Sequence, residues 1–364
     1  MQAANLEHTN DSQSRNFSPY QMFLDRARAN RPRYRFEQGR DPVTWRDAAL
    51  PAALATLGHA PESVDPAPRH LGAWERHGVT QERWQLDVSP GFSATAVVNR
   101  PTGLTEGDRR PGILCWHGHT DPAWIGKEAM MGNDAGAELE ANAEASGYGL
   151  AMAREGYVTF AIDWLGYGES DDNSKPNHRS RPGNHVWCNV YYLKATMLGM
   201  TPLGINVAHG KALTDFVSKL PYVDPARLGV LGFSGGGTLA LWSGLADPRL
   251  IAVEISCYSD LFADFGYRDG SYCGAQVAPG LYELVDVPDL QGLLAPKPLL
   301  VDIGSYDRTF RLDSAITCHQ RVAEIYQAAG AADRLHLNLF PGGHRWDATA
   351  SGPFFADYLA GAPG

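Results

Sequence analysis

The stretch that most restricts what this chain can fold into runs from Arg227 to Trp242, RLGVLGFSGGGTLALW. Leu228 to Leu231 read as a short buried strand, Gly232 to Gly236 as a very tight turn, and the apolar residues after them as the start of a helix. Ser234 sits at the apex of Gly232-Phe233-Ser234-Gly235-Gly236. This is the G-x-S-x-G pattern of a nucleophile elbow, in which a serine is raised on a strained strand-to-helix turn. A side chain at 232 or 236 would collide as strand and helix fold back on each other. The Gly235 N–H then faces the place where an oxyanion would form, at the positive end of the following helix. The pentapeptide alone also fits an ordinary glycine-rich β–α turn; the strand before it and the helix after it favour the elbow.

The rest of the chain can be arranged around that unit. At 364 residues there is enough length to bury a large core, as one big domain or a domain with an extension. Residues 1 to about 16 are polar and expected to lack fixed structure. Two helices are expected next, from Ser18 to Ala29 and from Trp45 to Leu57, the second opened by Thr44 and notched at Pro51. Residues 1–75 are therefore read as a tail and helical extension that packs on the main domain or offers a surface for self-association. Two antiparallel strands, Val79 to Val88 and Ser93 to Asn99, follow. Gly112–Trp116, Tyr157–Ile162, Leu228–Leu231, Leu250–Ser256, Pro298–Ile303 and Leu335–Phe340 then alternate with helices, including one over Ala137–Arg154. That alternation implies a mostly parallel sheet of about eight strands with helices on both faces, spanning 76–364. Residues 257–290, rich in aromatic side chains, read as an excursion able to act as a lid.

Composition removes several function classes. A net charge of −10 argues against a nucleic-acid footprint. No apolar run approaches membrane-spanning length, and the N-terminal residues lack the layout of a signal peptide, so a cytoplasmic location is expected. Five cysteines without regular spacing do not suggest a disulfide framework or a metal finger. Cys257 and Cys273 could pair across a loop, but reduced, buried thiols are expected.

A serine hydroxyl is a poor nucleophile and needs a base whose tautomer is held by a third group. In the sheet order Ser…Asp…His these partners follow the last two strands. Asp307, in the loop after Ile303, and His344, in the turn Phe340-Pro341-Gly342-Gly343-His344, occupy those places. Ser234 is read as nucleophile, His344 as general base and then acid, and Asp307 as the orienting carboxylate. Asp260, in the loop after the preceding strand, is the rival acid; Asp302 lies within a strand, and Asp313 suits a helix start. Oxyanion donors are expected from the backbone N–H groups of Gly235 and His119. The same loop carries a competing pattern, His117-x-His119-x-Asp121, in which two imidazoles and a carboxylate could hold zinc. No further ligand cluster is apparent downstream, so no metal is assigned.

Over roughly residues 75–364 these features resemble the α/β-hydrolase superfamily, in particular its acetyl-xylan-esterase and dienelactone-hydrolase side. The resemblance rests on HGH at 117–119 followed by Gly126-Lys127-Glu128, DWLGYGES at 163–170, GFSGGG at 232–237, PKPLLVDIGSYD at 296–307 and FPGGH at 340–344. The resemblance implies a Ser-His-Asp triad on Ser234, His344 and Asp307, an oxyanion hole at Gly235 and His119, and hydrolysis of a small-molecule ester without a cofactor. The extension before residue 75 departs from the pattern. Trp124, Tyr167, Trp187 and Trp346 are candidate substrate contacts, suited to an aryl or sugar ester, whereas Trp116 ends a strand and reads as core. A serine exopeptidase or amidase would use the same triad, and a catalytically silent binding protein could use the same scaffold.

Overall fold

The computed structural model describes residues 16–121, 123–132, 147–172, 187–270 and 273–359. The first fifteen residues, most of the expected 137–154 helix, the stretch 173–186 and Tyr272 lie outside that set. Among the described residues nine strands form a single sheet: β1 Arg69–Arg76, β2 Val79–Ser89, β3 Phe92–Pro101, β4 Arg110–Trp116, β5 Val158–Ile162, β6 Val223–Phe233, β7 Leu250–Ser256, β8 Leu299–Gly304 and β9 Leu335–Phe340. Their spatial order is β1-β2-β3-β5-β4-β6-β7-β8-β9. The β1/β2, β2/β3 and β3/β5 pairs are antiparallel, and every other pair is parallel.

The expected count of eight strands is corrected to nine by β1, which lies in the stretch read as helical extension. Most of its residues are exposed, so it carries no apolar alternation, and its register slips between His70 and Gly72. Charged ends and a bulge are how an edge strand avoids pairing with another chain.

The main helices are α1 Pro19–Ala29, α2 Pro42–Ala55, α3 Tyr148–Arg154, α4 Trp187–Thr196, α5 Pro202–Val217, α6 Gly235–Ala246, α7 Leu312–Ala328 and α8 Ala348–Leu359. Successive strand residues point to opposite faces, and the core divides accordingly. Leu114, Val230, Val253 and Val301 pack on one face with Leu213 of α5, Leu239 of α6 and Val322 of α7. Ile113, Leu231, Ala252 and Leu300 pack on the other with Met152 of α3 and Phe354, Phe355 and Leu359 of α8. Helices thus cover both faces. Among the described residues no helix is long and apolar enough to cross a membrane.

The second helix begins earlier than expected. Asp41, not Thr44, caps it: the Asp41 carboxylate accepts the Thr44 N–H at 2.8 Å and its hydroxyl at 2.6 Å. Pro42 takes the first helical position, where its missing N–H is not needed. The extension packs on the 257–290 excursion of its own chain. Arg33 N–H donates to the Glu283 carbonyl, Tyr34 N–H to Leu284, and Phe36 N–H to the Asp289 carboxylate, at 2.8–2.9 Å. The Tyr20 hydroxyl donates to the Arg268 carbonyl at 2.6 Å. The excursion itself contains a π-helical stretch, Phe262–Arg268, and two short helical turns.

Candidate active site

Strand β6 runs into Ser234, whose backbone sits at φ 56°, ψ −121°, a region that non-glycine residues avoid. The surroundings enforce it. A Cβ on Gly232 would overlap the Gly236 carbonyl, and one on Gly236 would overlap the Trp116 carbonyl of neighbouring β4. Both glycines are therefore close-approach positions between the elbow and its own helix or the next strand. Ser234 N–H is held by the Ser256 carbonyl of β7 at 2.8 Å.

The ends of β8 and β9 supply the partners. Ser305 N–H donates to the Phe340 carbonyl and Tyr306 N–H to Gly342, lacing the two loops together. A Cβ on Gly304 would overlap the Gly343 carbonyl, so that glycine permits the approach. His344 Nε2 then lies 2.8 Å from Ser234 Oγ, and its Nδ1 lies 2.8 Å from Asp307 Oδ2. Asp307 Oδ1 accepts the N–H groups of Thr309 and Phe310 at 2.7 and 3.1 Å. Burial would raise this carboxyl, but the His344 contact and the two amides outweigh it and hold Asp307 below its ordinary range. Phe233 and Phe310 flank the imidazole at 4.8 and 5.7 Å between ring centres.

The rival acids lie elsewhere. Asp260 is buried and accepts the Leu261 N–H at 2.7 Å. Exposed Asp313 pairs with Arg311. Asp302 is fully buried and forms, with Glu254 of β7, a carboxyl pair that burial pushes upward, Asp302 to about 7. Asn338 donates to Asp302, while Trp346 Nε1 and the Ser351 hydroxyl donate to Glu254. The expectation that Trp346 faces substrate is therefore corrected: it is 4% exposed, in the core beneath the His344 loop. Trp116 is core as well, donating to Ser243. Trp187 is buried and stacked on Tyr191. Tyr167 stacks on Trp164 at 4.9 Å, against the rings of His117 and His119. Trp124, 48% exposed, is the one of the four that is open to solvent.

The loop after β4 separates its two histidines. His117 is buried, receives Trp164 Nε1–H on its Nδ1 at 2.7 Å, and is pushed by burial down to about 3, hence neutral. His119 is exposed, and its ring lies against Gly235: a Cβ there would sit 2.9 Å from His119 Nδ1. Among the described residues His117, His119 and Asp121 do not gather into a ligand-sized group; His119 is joined instead by Cys188 and Cys273. All five cysteines are free and buried.

Behind this loop sits a network that sequence reading did not resolve. Lys127, fully buried, donates through Nζ to Asp163 at 2.5 Å and to Glu169, while its N–H donates to Asp163 at 2.7 Å. Burial would lower the ammonium, but these carboxylates together outweigh it and hold it above its usual range. Arg83 pairs with Glu128 and Glu169. Gly126 and Gly168 take φ of +50° and +54°, and a Cβ on either would overlap the Asp163 carboxylate. The GKE and DWLGYGES motifs are thus two halves of one ionic clasp joining the loops after β4 and β5. A cavity of about 650 Å³ lies apart from the triad, between α1 and the excursion, lined by Phe23, Arg26, Tyr192, Phe262 and Tyr267 among others.

The comparisons agree with this architecture. The chain belongs to the Abhydrolase family, whose model matches residues 2–340, so the helices before residue 75 lie within the matched span. It is 24% identical over 293 residues to "Putative hydrolase YtaP" of Bacillus subtilis, covering 79% of this chain and 90% of that protein. Its structure is similar to that of "a putative acetyl xylan esterase" from Bacteroides fragilis, with a TM-score of 0.72 and 21% identity, over 92% of this chain and 85% of the other. A glucuronoyl esterase from Solibacter usitatus aligns with a TM-score of 0.60 and 14% identity, over 87% and 93%. At these identities the structural likeness establishes the α/β-hydrolase fold.

Proposed function

We propose that this protein is a serine esterase that cleaves carboxylic esters through an acyl-enzyme. The observation that carries this reading is the His344 imidazole, hydrogen-bonded at 2.8 Å to both the Ser234 hydroxyl and the Asp307 carboxylate. Asp307 accepts from Nδ1–H, which leaves Nε2 free to take the proton from Ser234 Oγ as that oxygen attacks the ester carbonyl. The resulting oxyanion is met by the N–H groups of Gly235 and His119, fixed donors on a helix start and an adjacent loop. The imidazolium passes its proton to the departing alkoxide, leaving an acyl group on Ser234. Water, deprotonated by His344, then attacks that ester and releases the acid.

The esterase names of the structural neighbours support this reading, and two of them name carbohydrate-linked esters. Trp124, exposed on the segment after the His119 loop, offers an aromatic face to a sugar or aryl ring. Replacing Ser234 by Ala tests the proposal on p-nitrophenyl acetate. Turnover is expected to fall by at least about 10⁴-fold, in line with loss of a triad nucleophile. Activity within a few-fold of the parent would contradict it. Running an aminoacyl anilide beside the ester separates esterase from exopeptidase chemistry; the ester is expected to be the better substrate.

A further inference from the structure

We propose that His119, Cys188 and Cys273 form a binding site for a soft divalent cation of the zinc type at the rim of the Ser234 site. The three come from segments far apart in sequence: the loop after β4, helix α4, and the 257–290 excursion. Their ligand atoms (one imidazole nitrogen and two sulfurs) all lie within 4.8 Å of one another. A tetrahedral zinc with Zn–S near 2.3 Å and Zn–N near 2.0 Å holds such atoms about 3.4–3.8 Å apart. Closing the cluster on an ion therefore needs side-chain shifts of about 1 Å, within the reach of one rotamer adjustment.

The backbone is arranged to bring the two sulfurs together. Asn189 Oδ1, next to Cys188, accepts the N–H of Gly274, next to Cys273, at 2.7 Å. A Cβ on Gly274 would press on Tyr192 Cβ at 2.5 Å and on the Cys188 carbonyl at 2.8 Å, so a glycine is required for the excursion to lie this close to α4. Both sulfurs are buried, whereas His119 is exposed, which leaves an approach for the ion from solvent. Two thiolates and an imidazole are soft and borderline ligands that favour zinc over magnesium or calcium. Three protein ligands also leave a fourth position open for water or an added oxygen ligand. The other described group of this size, Cys257 with Asp307 and His344, contains two triad residues whose ligand atoms already bond each other.

Binding is a proton-releasing equilibrium. Each thiol gives up its proton to solvent as its sulfur joins the metal, so affinity rises with pH. The ion would tie the His119 loop, α4 and the excursion into one unit. Any effect on hydrolysis runs through the His119 main chain and rests on the esterase reading above; the binding itself does not.

The full-length reduced chain, freed of metal and dialysed against Zn²⁺, is expected to retain one ion per chain. Cys188→Ser and Cys273→Ser are each expected to weaken retention on the order of 100-fold, since loss of even an outer hydrogen-bonding partner costs about 10–100-fold in metal affinity. Cys318→Ala, at a buried thiol outside the cluster, is expected to keep the ion. Titration of the parent chain with Co²⁺ decides the matter even if a variant fails to fold, because sulfur ligation gives an intense thiolate-to-cobalt charge-transfer band. No such band, zinc retained by both serine variants, or a Cys188–Cys273 disulfide in the purified chain would each overturn the proposal.

Discussion

At the scale of single residues the site is built from groups whose protonation is set by their surroundings. Asp307 and Asp302 lie a few residues apart on the same strand and its loop, yet their environments act in opposite directions. Asp307 faces a histidine and two amides and is held low; its contribution to stability is present above the ordinary carboxylate value and is lost as pH falls through the lowered one. Burial beside Glu254 raises Asp302 from an ordinary 3.8 to about 7, so the folded chain keeps a proton there that the unfolded chain gives up. This contribution is complete below the unfolded value and declines as pH rises from about 4 to about 7. Asp302→Asn, which keeps an acceptor for Asn338, removes the penalty. The melting temperature of the variant relative to the parent is expected to improve between about pH 5 and about pH 8. A difference independent of pH would show that Asp302 does not hold that proton.

At the scale of elements, the loops after β4 and β5 are tied to each other by an ionic clasp. Lys127 is buried among Asp163, Glu169 and Glu128. Removing one member of such a cluster leaves the others buried and uncompensated, at a cost of about 3–5 kcal/mol. Lys127→Met is expected to lose that much in urea denaturation, with unfolding at lower denaturant; a loss under about 1 kcal/mol would mean the charges are solvated enough to stand alone. This clasp also marks where sequence reading stops. The motifs at 126–128 and 163–170 were visible, but that they grip each other was not, because nothing in either stretch records the distance between them. The His119, Cys188 and Cys273 cluster escaped for the same reason: its members share no spacing. Strand β1 leaves no trace in the sequence because an edge strand exposed along most of its length has no buried face to print a period of two. Thr44 offers a plausible cap for helix α2, but Asp41-Pro42, three residues earlier, is the stronger signal.

For the whole molecule, the order of motifs was the most informative quantity. A serine after a central strand, then an acid and a histidine after the last two strands, can meet only if those strands lie side by side and parallel. The β6-β7-β8-β9 run provides that arrangement. Burial was less legible than order: Trp346 follows His344 by two residues, but its ring turns inward to Glu254. The fate of the N-terminal helices was not legible either. Trp45 is buried within the extension itself, against Phe36, and donates to the Tyr34 carbonyl, while Tyr20, Met22 and Phe23 of the first helix remain exposed. The extension braces the 257–290 excursion.

The most direct measurement is to react the purified protein with a fluorophosphonate and locate the adduct by peptide mass spectrometry. The expected result is one adduct, on Ser234, formed by the parent chain and not by Ser234→Ala or His344→Ala. A folded, hydrolytically active chain that carries the label elsewhere, or that labels at Ser234 equally well without His344, would contradict the claim that this imidazole makes the serine reactive.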